Sequence, residues 1–97
     1  MGELKRIEIV CIPCHKCDVI REKIQIVLKC IEFTFSIRLN CRLIYYTNRK
    51  EAMKAVIKSG YSFNELPVTR INGAVAFTGS RISESGIRLI LEGILKY

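Results

Sequence analysis

Ile7-Glu8-Ile9-Val10-Cys11-Ile12-Pro13-Cys14-His15-Lys16-Cys17 runs from an apolar strand, through a proline, into the start of a helix. Leu4 to Val10 reads as the strand, because Ile7, Ile9 and Val10 are β-favouring residues. Pro13 can precede a helix start. From Cys14 onward the apolar residues recur every three to four positions. Ile20, Ile24, Val27, Leu28 and Ile31 make one face, and Arg21, Glu22, Lys23, Gln25 and Lys29 occupy the rest. Cys14 and Cys17 therefore stand one turn apart at a helix N-terminus. Two thiols at that spacing can close a small disulfide ring and open it again. Free amide N–H groups and the helix dipole favour negative charge there, and the thiolate is the reactive form of cysteine. The stretch predicts thiol–disulfide exchange.

Downstream, residues 33–43 carry two periods at once. Phe33, Phe35, Ile37, Leu39, Cys41 and Leu43 alternate with polar residues, which is a strand pattern. Ile31, Phe35 and Leu39 also continue the helical face. Asn40 is the first residue that suits a left-handed cap. A strand is expected from Cys41 to Tyr46, with 33–40 open between the two readings. Asn48 with Glu51 reads as a helix start, with Ala52, Met53, Val56 and Ile57 as the inner face and Ser59-Gly60 as the stop. Pro67 opens a second apolar section. Val68-Thr69-Arg70-Ile71 and Ala74-Val75-Ala76-Phe77 flank Asn72-Gly73, a two-residue hairpin signal. Ser83 caps a last helix with Ile87, Ile90, Leu91, Ile94 and Leu95 on its buried stripe. The order is βαβαββα, an α/β chain with a mixed four-stranded sheet flanked by helices.

A chain of 97 residues holds one domain, residues 1–97, and 49% hydrophobic content argues for a packed core. No apolar run reaches membrane-spanning length, since Arg21, Lys23 and Lys29 interrupt the best candidate. The charged start, Met1 to Arg6, lacks the apolar stretch of a secretory signal, so a cytoplasmic location is expected. The net charge of +7 is scattered rather than run together, and no nucleic-acid or membrane partner is indicated. Five cysteines leave one over from any pairing. In a reducing compartment, close pairs are more often redox-active or metal-binding than structural.

The element order, a Cys-x-x-Cys after the first strand and a Pro before the third resemble the thioredoxin fold. The small, archaeal-type, glutaredoxin-like thioredoxins are the nearest likeness, and it spans nearly the whole chain. The resemblance implies that Cys14 is the attacking cysteine and Cys17 the resolving one. It implies that Pro67 is a cis-proline facing the dithiol, and that the backbone at Leu66 and Pro67 binds the substrate chain. It further implies disulfide-containing protein or small-molecule substrates, a separate reductase as electron donor, and no bound cofactor. Glu8, six residues before Cys14, matches a buried acid that helps deprotonate the resolving thiol. An exposed strand charge is the alternative for Glu8. Two departures stand out. No Trp precedes the dithiol, and Gly79-Ser80-Arg81 lacks the Gly-Gly and following Asp with which glutaredoxins hold glutathione.

A second function remains open. Cys11-Ile12-Pro13-Cys14 is itself a Cys-x-x-Cys, and a cluster of soft thiolates suits copper(I), zinc or an iron–sulfur centre. A copper or zinc carrier of the ferredoxin-like kind also uses a Cys-x-x-Cys pair after its first strand. Such carriers run βαββαβ, whereas this chain ends in a helix after a hairpin, and no fourth ligand lies close in sequence. Cys11 is then expected as a strand-end thiol that competes for Cys14. Cys30 and Cys41 are expected as small buried hydrophobes rather than as an extra disulfide. Tyr45, Tyr46, Tyr61, Phe63 and Phe77 are expected in the core and at its rim.

Overall fold

The computed structural model describes residues 2–96. Strand β1 (Arg6–Val10) leads into helix α1 (His15–Phe35), followed by β2 (Arg42–Tyr45), α2 (Arg49–Ser59), a 3-10 turn at Phe63–Glu65, the hairpin β3 (Val68–Ile71) and β4 (Ala74–Thr78), and α3 (Glu84–Lys96). The sheet order is β2-β1-β3-β4. β1 pairs parallel with β2 and antiparallel with β3, and β3 pairs antiparallel with β4. Among the described residues no helix is long and apolar enough to cross a membrane.

Alternation along β1 assigns its two faces. Ile7, Ile9 and Cys11 pack with Ile20, Ile24, Val27 and Ile31 of α1 and with Ile87 and Leu91 of α3. Val10 points the other way, onto Val56 of α2 and Val68 of β3. Burying a side chain such as Ile20 or Ile24 stabilises the fold by about 1.5–3 kcal/mol. The inner face of α2 is narrower than its sequence suggests. Ala52 and Val56 are buried, but Ile57 is 72% exposed, because α2 meets the sheet along one short line.

The cap residues hold the elements in place. The Asn48 side chain accepts from the N–H groups of Lys50 and Glu51, and the Ser83 hydroxyl accepts from Gly86 N at 3.0 Å. Asn72 and Gly73 take φ of 52° and 87°, the left-handed pair that a type I′ hairpin turn requires. The Asn72 side chain also ties the N-terminal segment down, accepting from Lys5 N at 2.8 Å and donating to Glu3 O at 2.7 Å.

The open segment resolves in favour of the helix as far as Phe35. The left-handed cap falls at Ser36 (φ 51°), not at Asn40. Ile37 N donates to Glu32 O at 3.1 Å and Ser36 N to Phe33 O at 3.4 Å, the bond pair of a Schellman ending. The Glu32 carboxylate then accepts from Leu39 N at 2.9 Å, which turns residues 37–41 away as an extended link to β2. A left-handed serine costs more than a glycine would. Ser36→Gly is expected to raise stability by about 0.5–1 kcal/mol in urea unfolding. A loss of stability would contradict this account of the helix end.

Candidate thiol site

Cys14 is the N-cap residue of α1, with extended backbone (φ −166°, ψ 174°). Its carbonyl accepts the first intrahelical bond, from Asp18 N at 3.1 Å. Its side chain makes no capping hydrogen bond, so the sulfur is not spent on the helix end. Pro13 suits the turn before it, because it needs no N–H partner there. Cys14, His15 and Lys16 are exposed, and Cys17 is half-buried against the core under α1. Asp18, in the same first turn, is offset by Arg21, whose guanidinium lies 3.4 Å away. The Arg21 guanidinium also stacks over the Tyr45 ring, 4.6 Å from its centre.

The sulfurs of Cys11, Cys14 and Cys17 all lie within 4.8 Å of one another. The disulfide expected between Cys14 and Cys17 joins Cys11 to Cys17 instead, with their Cα atoms 6.2 Å apart. Cys14 is free, and its Sγ stands 3.3 Å from Cys17 Sγ. The competition foreseen for Cys14 thus falls on Cys17. The physical reason is placement: the end of β1 points Cys11 into the same core that the first turn of α1 turns Cys17 towards. The Ile12 carbonyl lies 2.9 Å from Cys17 Sγ and 3.3 Å from Cys11 Sγ. It can accept an S–H hydrogen bond from either thiol when reduced.

The Leu66-Pro67 peptide bond is cis, and Pro67 is fully buried. Leu66 is half-buried and lines one open depression together with Cys11, Ile12, Cys14, Lys16 and Phe63. The chain thus brings Cys14 and Leu66 to a common surface, and Phe63, 61% exposed, forms its apolar rim. The sequence places Phe63 in the core or at its rim, and its share in this depression follows from the 3-10 turn before Pro67. A second depression reaches Cys11 and Cys17 from the β2 side, between Arg21 and Tyr46.

Glu8 is neither deeply buried beside Cys17 nor exposed. Its side chain is 15% exposed, with Oε1 3.3 Å from Arg6 Nε. It occupies the face of β1 that Val10 shares, opposite to Cys11, so the structure pairs it with Arg6 rather than with Cys17.

Cys30 is exposed and Cys41 half-buried, and both are free, so Cys30 is not the buried hydrophobe expected. Burial pushes the Cys41 thiol up from its ordinary value. A smaller fraction of Cys41 is then thiolate at neutral pH. Iodoacetamide is expected to modify Cys30 ahead of Cys41 at pH 7, with the gap narrowing as pH rises. Equal rates at pH 7, read by peptide mass spectrometry, would contradict this.

Compared with known proteins, the chain matches no family model, and neither the curated proteins nor the solved structures give a match. The functional reading rests on the site itself.

Proposed function

We propose that the protein is a thioredoxin-like thiol–disulfide oxidoreductase that works through Cys14 and Cys17. The observation that carries this reading is an exposed, uncapped sulfur at the N-terminus of α1, 3.3 Å from a second sulfur of the same turn. The sheet order, the flanking helices and the cis-proline beside the depression agree with the thioredoxin resemblance.

The chemistry follows in two balanced steps. The Cys14 thiolate attacks one sulfur of a substrate disulfide. A Cys14–substrate bond forms, the substrate's own S–S bond breaks, and its second sulfur leaves as a thiolate that takes a proton from water. Cys17, having lost its proton to solvent, then attacks Cys14 Sγ. The Cys14–Cys17 bond forms and the first substrate sulfur leaves as thiolate. Two electrons have passed from the protein to the substrate. Leu66 and Phe63 offer the apolar surface against which an extended substrate segment lies. Substrates are protein or small-molecule disulfides, a separate reductase restores the dithiol, and the cycle needs no bound cofactor. The proposed setting is cytoplasmic.

Reduction of insulin disulfides with dithiothreitol as electron source tests the reading. The protein is expected to shorten the lag before insulin precipitates. A lag equal to that of dithiothreitol alone would reject it.

One observation favours a second reading. Three sulfurs within 4.8 Å suit a three-coordinate thiophilic ion such as copper(I), and among the described residues the donor set lacks the fourth ligand that structural zinc takes. Stoichiometric copper in the purified protein, with no effect on insulin, would make it a soft-metal carrier.

A further inference from the structure

We propose that the site is a three-thiol relay, in which the oxidised protein stores its disulfide as Cys11–Cys17 and keeps Cys14 as a free nucleophile. The proposal rests on the dithiol reading above and goes beyond it, because a two-cysteine site loses its nucleophile on oxidation. Cys17 is the shared member. It is bonded to Cys11 on the core side and stands 3.3 Å from Cys14 on the solvent side. The 6.2 Å between the Cys11 and Cys17 Cα atoms lies within the ordinary span of a disulfide, and the Cys14 sulfur stands 3.3 Å from that of Cys17, so Cys17 has both partners within reach. Burial sorts the two partners: Cys11 is 4% exposed, whereas Cys14 faces solvent.

The relay step is an internal exchange. After Cys17 has displaced the substrate, the Cys11 thiol gives its proton to solvent and attacks Cys17 Sγ. The Cys11–Cys17 bond forms, the Cys14–Cys17 bond breaks, and Cys14 leaves as a thiolate. No electron enters or leaves. The oxidised protein can then attack a further disulfide through Cys14, forming a mixed disulfide and releasing one thiolate. Cys17 is engaged and does not resolve that adduct, so an incoming thiol must release it. The oxidised form is thereby a carrier of one mixed disulfide, a capacity that a Cys14–Cys17 ring does not have.

The test uses the Cys30→Ser/Cys41→Ser chain, which leaves only the three site thiols. The protein is oxidised, freed of oxidant and treated with 5,5′-dithiobis(2-nitrobenzoate), and the released aryl thiolate is counted. About one equivalent per chain is expected, with the adduct on Cys14. Trypsin cuts after Lys16 and Arg21, so either pairing links residues 7–16 to 17–21, and fragmentation assigns the adduct to Cys11 or Cys14. Adding Cys11→Ser is expected to abolish the release. No release from the parent, or an adduct on Cys11 with Cys14 linked to Cys17, would overturn the relay and leave the two-cysteine cycle standing. Release of three equivalents after oxidation would overturn both, since no disulfide would have formed.

Discussion

Insulin reduction by the Cys14→Ser variant falls to the rate of dithiothreitol alone. Cys14 is the exposed member of the three thiols, at the helix end where the unbonded amide N–H groups and the dipole favour an anion. A serine hydroxyl keeps the shape and loses the thiolate. Because the side chain is solvent-exposed and makes no capping bond, and serine is a favoured N-cap residue, the change should not destabilise the fold. Undiminished stability in urea beside abolished catalysis would separate a chemical role from a structural one. Catalysis that survives the substitution would move the attacking sulfur to another cysteine.

Cys17→Ser is expected to fail at the second step rather than the first. The Cys14–substrate bond still forms, but its nearest resolving sulfur is gone. A thiol held one turn away acts at an effective concentration far above any millimolar thiol in solution, so turnover should fall by at least ~100-fold. The adduct should accumulate, visible as a protein–substrate species that dithiothreitol dissolves. Cys11 lies close enough to offer a slower bypass, and the Cys11→Ser/Cys17→Ser double variant closes it. A Cys17→Ser protein that turns over at the parent rate and traps nothing would contradict the assigned roles.

Much of the scaffold could be read from local chemistry. Asn48, Ser83 and Asn72-Gly73 act through short-range hydrogen bonds or backbone conformations that any context preserves, and all three behave as their residue types predict. The face of α1 from Ile20 to Ile31 was equally plain, since one helical stripe of β-branched and aliphatic residues has few other ways to be buried. The end of α1 was not plain. Residues 33–40 are open to two periods, and the choice is made by Glu32, whose carbonyl and carboxylate capture Ile37 N and Leu39 N. That decision depends on a side chain reaching beyond its own helix. Ile57 illustrates the same limit, because its exposure depends on how little of α2 the sheet covers.

At the site, the Cys-x-x-Cys pair and the proline were legible, but the bonding partner was not. Spacing says that Cys14 and Cys17 can meet. It does not say that the first residue after β1 turns its sulfur under the same helix. The signal was present in Cys11-Ile12-Pro13-Cys14, a second motif overlapping the first. Only the register of β1, with Ile7 and Ile9 in the core, sends Cys11 inward.

The most direct test of the central claim is a count of free thiols as the protein is equilibrated across dithiothreitol and glutathione redox buffers, with acid quenching and alkylation. The account predicts a reversible loss of two thiols per chain in a single two-electron transition. A thiol count that stays constant at every poise would contradict the account.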